Sequence, residues 1–337
     1  MKRASCLLLA AAPFVLFAGA PAMAKPKDQP AAATAAAAPK GPALWKVADK
    51  DTTIYLFGTV HVLPKDVDWY DATISKALDS SDILVTEIPM DPESEKAIQQ
   101  LTLVKGKLPE GTTLRSLLND EQKTSYTAAL GKLGEKMEAQ QLAQLPPETV
   151  AKYKEAKAAG QVPNPADALA ANFDPMKPWM VGLTFAILPL TLEGYDPNSG
   201  VEKVLLAKVP DKAKGALETP EFQLGIFDGM PQDAQVSFLI EAAKNIDETK
   251  PMLDRMVAEW IKGDADKLAE VMNEGMDDPK VAEALLYNRN ANWADWIKTR
   301  LEKPGTVFIA VGAGHLAGPK SVQDVLAKKG IKVSRVK

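Results

Sequence analysis

Apolar positions gather in short runs near the two ends of the chain and in helical spacings between them. Leu44-Trp45-Lys46-Val47 and Thr53-Ile54-Tyr55-Leu56-Phe57 are rich in β-formers and flank the polar Ala48-Asp49-Lys50-Asp51, which predicts a hairpin. Residues 68–78 have helical spacing, and residues 82–88 read as a buried strand stopped by Pro89. A polar, helix-forming stretch follows over 93–159, broken at Pro109-Glu110-Gly111 and at Pro146-Pro147.

Residues 164–178 are rich in proline and turn formers and read as a loop. Residues 179–192 are apolar and uncharged but contain Pro189. They are too short to span a bilayer and read as a buried helix or core segment. A short helix is predicted over 200–207, and Lys214-Gly215-Ala216-Leu217-Glu218 is a short strand candidate. Helical patterns dominate 220–302, where Trp260, Trp293 and Trp296 fall on apolar faces and read as core. The chain closes with a strand over 306–311, a helix over 319–329 stopped by Gly330, and a strand over 331–336. Strands that embrace a helical middle predict an α/β fold: a mixed central sheet flanked by helices, with a large helical insertion in the middle of the chain.

The N-terminus changes this picture. Lys2 and Arg3, the apolar run over 6–20 and the small-x-small Ala22-Met23-Ala24 make up a secretory signal peptide over 1–24. Residues 25–42, rich in Ala, Pro and Lys, read as a flexible tether to a domain over 43–337. Cys6 is the only cysteine, and cleavage removes it, so the mature chain has neither disulfide nor thiolate chemistry. Loss of Lys2 and Arg3 leaves 38 basic against 44 acidic residues, a net charge of −6. That balance gives no electrostatic reason for a nucleic-acid partner, and cleavage leaves no stable membrane anchor. The expected location is the periplasm or outside the cell.

Chemistry is concentrated at strand ends. The chain has two histidines, and both follow a strand and a glycine: Gly58-Thr59-Val60-His61 and Gly312-Ala313-Gly314-His315. The glycines are read as sharp turns that place each imidazole at a strand's C-terminal end, the edge where open α/β sheets bind ligands. Glu87 and Glu218 end two further strand candidates. If these strands are parallel neighbours, two imidazoles and one or two carboxylates meet, a donor set suited to Zn, Mn, Co or Fe(II). Plainer roles stand beside this one. Either histidine can be a hydrogen-bonded structural residue, Glu87 an ordinary strand-end carboxylate, and Glu218 a cap for the helix opening near Pro220. His-Glu-x-x-His, Walker and Gly-x-Ser-x-Gly patterns are absent from the sequence.

The order and spacing of several pieces resemble the TraB/GumN family, to which the animal Tiki proteins are related. The pieces are Leu44-Trp45-Lys46-Val47, the run from Tyr55 to Leu63, Leu84-Val85-Thr86-Glu87, the run from Leu217 to Leu224, Asn288-Arg289-Asn290-Ala291-Asn292-Trp293, and the run from Val311 to Gly318. The resemblance implies metal-dependent proteolysis with His61, His315 and Glu87 at its centre and Glu218 as ligand or support. It places Arg289 as a group that binds a substrate carboxylate or stabilises developing charge, beside the plainer reading of a helix-surface ion pair. It leaves two function classes: a hydrolase acting on a peptide or small molecule, and a non-catalytic binder that sequesters a peptide, haem or another small ligand.

Overall fold

The computed structural model describes residues 41–274 and 282–337; the expected signal peptide over 1–24 and most of the expected tether over 25–42 lie outside them. Gly41 and Pro42, assigned to the tether from sequence, already lie against the domain, with Pro42 buried.

The predicted hairpin forms from β1 (Leu44–Ala48) and β2 (Thr52–Thr59), paired antiparallel with Leu44 opposite Phe57. Helix α1 (Ala72–Asp79) then leads to β3 (Ile83–Thr86). Asp71 caps α1 by accepting the Thr73 and Ile74 N–H groups, so the helix starts later than its periodicity suggests. The insertion carries α2 (Pro92–Lys105), α3 (Asp120–Leu142), α4 (Pro147–Ala158), α5 (Pro165–Phe173), α6 (Pro178–Leu192) and α7 (Val201–Lys208). Strand β4 (Ala213–Ala216) precedes α8 (Pro220–Asp228), α9 (Gln232–Lys244), α10 (Thr249–Ile261) and α11 (Ala265–Asn273). The chain ends with α12 (Asn288–Arg300), β5 (Gly305–Gly312), α13 (Val322–Lys328) and β6 (Val333–Arg335).

The sheet order is β4-β3-β5-β2-β1-β6. The first four strands run parallel to one another, and β1 lies antiparallel to both β2 and β6. This is the mixed sheet expected from sequence. Alternate residues of β5 bury on opposite faces: Phe308 and Ala310 against Trp69, Trp179 and Trp260, and Val307, Ile309 and Val311 against Trp293 and Ile297. A strand covered on both faces shows a continuous apolar run, as residues 307–311 do.

Residues 164–178 are not the predicted loop, because they contain α5. Asn164 caps it, Pro165 opens its first turn, and Leu169, Ala170 and Phe173 pack into a separate core with Tyr126 and Phe185. The Asn-Pro pair was a helix start read as a turn, since both share the same residues. Helix α6 is the apolar stretch at 179–192, buried on nearly every side and containing Pro189. No helix among the described residues is long and apolar enough to cross a membrane.

Candidate functional site

The parallel register brings four strand ends to one edge in the order Glu218 (β4), Glu87 (β3), His315 (β5) and His61 (β2). Backbone pairing continues past β3 and β4, with Leu217 and Glu218 N–H groups donating to the Thr86 and Glu87 carbonyls. The two glutamates therefore stand beside each other. Gly312 N–H donates to Glu87 Oε1 at 2.7 Å, which ties the β3 carboxylate to the end of β5.

The glycines act differently from the predicted turns. Neither Gly58, Gly312 nor Gly314 has positive φ. Gly58 lies inside β2, where a Cβ would sit 3.1 Å from Ala313 Cα and 3.2 Å from Ala313 Cβ. Its service is close approach: the β2 end and the 3₁₀ turn Ala313–Leu316, which carries His315, pack backbone to backbone. Trp260 Nε1 donates to the Gly58 carbonyl at 2.8 Å and fixes this contact from the helical side.

Helix α12 supplies the centre. Arg289 is 1% exposed, so the helix-surface reading is overturned: its side chain points into the sheet edge. Nε and Nη2 donate to the two oxygens of Glu218, Nη2 also donates to Glu87 Oε2, and Nη1 donates to the Leu285 carbonyl at 3.0 Å. Leu285 belongs to a π-helical turn, Glu283–Tyr287, directly before α12. Trp293, one turn after Arg289, donates Nε1 to Glu218 Oε1 at 2.8 Å, and its ring lies 4.2 Å from that of His315. Trp293 is thus core, as its periodicity predicts, and also part of the site. Thr219, rather than Glu218, caps α8.

The two histidines are held unlike each other. His315 is fully buried; its Nδ1 lies 2.6 Å from Asn290 Oδ1 and its Nε2 3.1 Å from Arg289 Nη1. Arginine only donates, so Nε2 accepts and Nδ1 carries the proton. His61 has its Nδ1 2.6 Å from Glu202 Oε1, a close but bent ion-pair contact, and its Nε2 has no partner among the described residues. Glu202 also accepts from the Thr59 hydroxyl.

Burial and charge compete throughout. Burial pushes the Glu87 carboxyl above its ordinary value against the pull of Arg289. Burial works downward on His61, but the Glu202 charge and contact outweigh it and leave the imidazole raised. Burial works upward on Glu202, where His61 and Thr59 outweigh it and leave the carboxyl lowered. Glu87, Glu202 and Glu218 are all buried or nearly so, and among the described residues Arg289 is the only Lys or Arg paired with any of them.

This edge fits a divalent ion in charge, and in the open nitrogen of His61. It fits less well elsewhere: Arg289 takes the His315 lone pair, and Arg289, Trp293 and Gln223 occupy the Glu218 oxygens. Among the described residues no three His, Cys, Asp or Glu side chains are grouped to hold a metal ion.

Sequence reading did not single out Glu202, Gln223 or Asn290. Gln223 donates Nε2 to Glu87 at 3.0 Å and to Glu218 at 2.9 Å, while its Oε1 has no partner among the described residues. Gln223 and Asn290 lie within the pieces that carry the family resemblance, which was the signal available for them. Glu202 has no such signal.

No solved structure matches this chain. A protein of Treponema pallidum (strain Nichols), described as uncharacterized, is 20% identical over 303 residues, covering 85% of this chain and 80% of that protein. The family model described as TraB/PrgY/gumN matches residues 43–335, the whole sheet with its helices, and the chain belongs to that family.

Proposed function

We propose that this chain is an exported, metal-dependent hydrolase acting on a peptide or a small acyl substrate at the His61–Glu87–Arg289 edge. The observation that carries this reading is a gathering of negative charge: the buried carboxylates Glu87 and Glu202 and the nearly buried Glu218 face one described guanidinium, Arg289, and the imidazole of His61, whose Nδ1 meets Glu202 and whose Nε2 is unpartnered among the described residues. Buried charge is costly unless compensated, and a divalent cation supplies two positive charges. His61 Nε2 and the Glu87 carboxylate would hold the ion, with His315 joining only if Arg289 released its Nε2. Bound there, a Zn, Mn, Co or Fe(II) ion would polarise a carbonyl and lower the pKa of a water. In this reading Glu87, raised by burial, would be a ligand of the ion or, where it is not a ligand, the base toward a water, and Arg289 would face the negative charge that develops on the substrate.

The test is calorimetry of residues 25–337 with each of these ions, against a His61→Ala/His315→Ala double variant, followed by mass spectrometry of a peptide mixture. Saturable binding lost in the double variant, together with new peptide termini, supports the reading. Absence of binding to every ion removes it. Export is tested separately by N-terminal sequencing of the protein made in a Gram-negative host, where the expected first residue is Lys25.

A second reading, a binder that sequesters a peptide or haem without turnover, has its own support: Glu218 and His315 are engaged on every side by protein partners. Tight ligand binding with no cleavage product would favour it. A Soret band after incubation would identify haem.

A further inference from the structure

We infer that Glu202 is the positioning residue of His61: it holds the ring's Nδ1–H and leaves Nε2 as the one ring nitrogen able to meet a ligand. This deepens the reading above, on which the working role of His61 rests, but it makes a claim about the protein alone.

The helix that carries Glu202 is docked on the His61 segment by backbone. Val201 N–H donates to the Val60 carbonyl at 3.0 Å, and at Gly200 a Cβ would lie 2.2 Å from the His61 carbonyl oxygen. Only glycine allows α7 to start this close. Glu202 then falls in the first turn, where the helix N-terminus favours a negative side chain. It is 3% exposed, accepts the Thr59 hydroxyl, and brings Oε1 to 2.6 Å from Nδ1. Two bare acceptor atoms repel at that distance, so one of the pair carries a proton, although the contact is bent and not an in-line hydrogen bond. With the Thr59 hydroxyl already donating to the same oxygen, the carboxylate is the acceptor and Nδ1 the donor.

His315 shows the contrast. Asn290 Nδ2 donates to the Lys320 carbonyl at 2.9 Å, which turns Oδ1 toward the ring, and Arg289 takes Nε2. Both rings carry their proton on Nδ1, one against a carboxylate and one against an amide. His61 alone keeps a nitrogen for something else. A metal-bound or catalytic histidine is commonly held by such a carboxylate.

The chain contains two histidines, so ¹⁵N-histidine labelling of the mature protein gives two rings to assign. Long-range ¹H–¹⁵N spectra, taken where both rings are neutral, read the tautomers directly. The expected wild-type result is Nδ1–H on both. Glu202→Ala should lose that pattern at His61 and keep it at His315, and Glu202→Gln, whose amide oxygen still accepts, should restore it. Zn affinity should fall by about 10–100-fold in Glu202→Ala and recover toward wild type in Glu202→Gln. A wild-type His61 carrying Nε2–H overturns the inference without any variant, as does a Glu202→Ala ring unchanged from wild type. The tautomers are read in the metal-free protein, so failure of the hydrolase reading leaves this result standing.

Discussion

Arg289 and Glu218 meet in a two-pronged pairing, Nε to Oε1 at 2.8 Å and Nη2 to Oε2 at 2.9 Å, with side chains 1% and 5% exposed. The same guanidinium reaches Glu87 on β3, so one residue of α12 joins the ends of two neighbouring strands. A planar fork matches a carboxylate in a way an ammonium does not. The sheet edge is therefore locked by a group whose removal strands two negative charges.

Arg289→Ala should cost about 3–5 kcal/mol, the range for breaking a buried ion pair by deleting one partner. Arg289→Lys should fall between it and wild type, since charge stays and the fork is lost. Urea denaturation measures both. An Arg289→Ala chain as stable as wild type would mean that the carboxylates take up protons or another cation.

Trp293→Phe separates ring from donor. Phenylalanine keeps an aromatic face against His315, while Glu218 Oε1 loses the indole N–H at 2.8 Å. A loss of about 1.5–3 kcal/mol is expected for one hydrogen bond to a charged group, since Arg289 Nε still donates to that oxygen. Stability equal to wild type would show that Arg289 and Gln223 satisfy Glu218 without the indole.

Gly58→Ala tests the close approach of the two histidine segments. The new Cβ meets backbone at 3.1 Å, and backbone cannot rotate away. Overpacking of this kind costs about 1–3 kcal/mol. His315, carried on the displaced turn, should show changed ring shifts; unchanged shifts would mean the segments part without disturbing the site.

The dependence of stability on pH follows from the shifts at His61, Glu202 and Glu87. The His61 and Glu87 values are raised on folding, so their contributions are fully present below the unfolded values and are lost as pH rises through the folded ones. Glu202 is lowered, so its contribution is present above its unfolded value and is lost as pH falls through the folded one. The His61–Glu202 pair therefore stabilises most between the ordinary values of 4.5 and 6.5, and stability declines toward alkaline pH. His61→Gln should flatten that decline in denaturation curves collected across the range. Parallel curves for the two proteins would show that His61 binds no extra proton on folding.

The central sheet was legible in the chain because strands buried on both faces, such as residues 307–311, leave short uninterrupted apolar runs bounded by Gly, Pro and polar residues. The strand-end positions of Glu87, His315 and His61 were legible for the same reason, since each follows such a run. Helix α5 was misread because Asn and Pro serve helix starts and turns alike, and only burial of its far side distinguishes them.

What tertiary structure decided is which atoms of those residues remain available. Nothing local distinguishes Glu202 from any first-turn glutamate facing water; its role comes from Gly200 letting α7 rest on the His61 carbonyl. Nor does local sequence say that Arg289 turns inward, since the packing of α12 on the sheet sets that. Hydrophobic periodicity is a property of one segment and can be read from it. Pairing of buried charges belongs to several segments at once and exists only after they have packed.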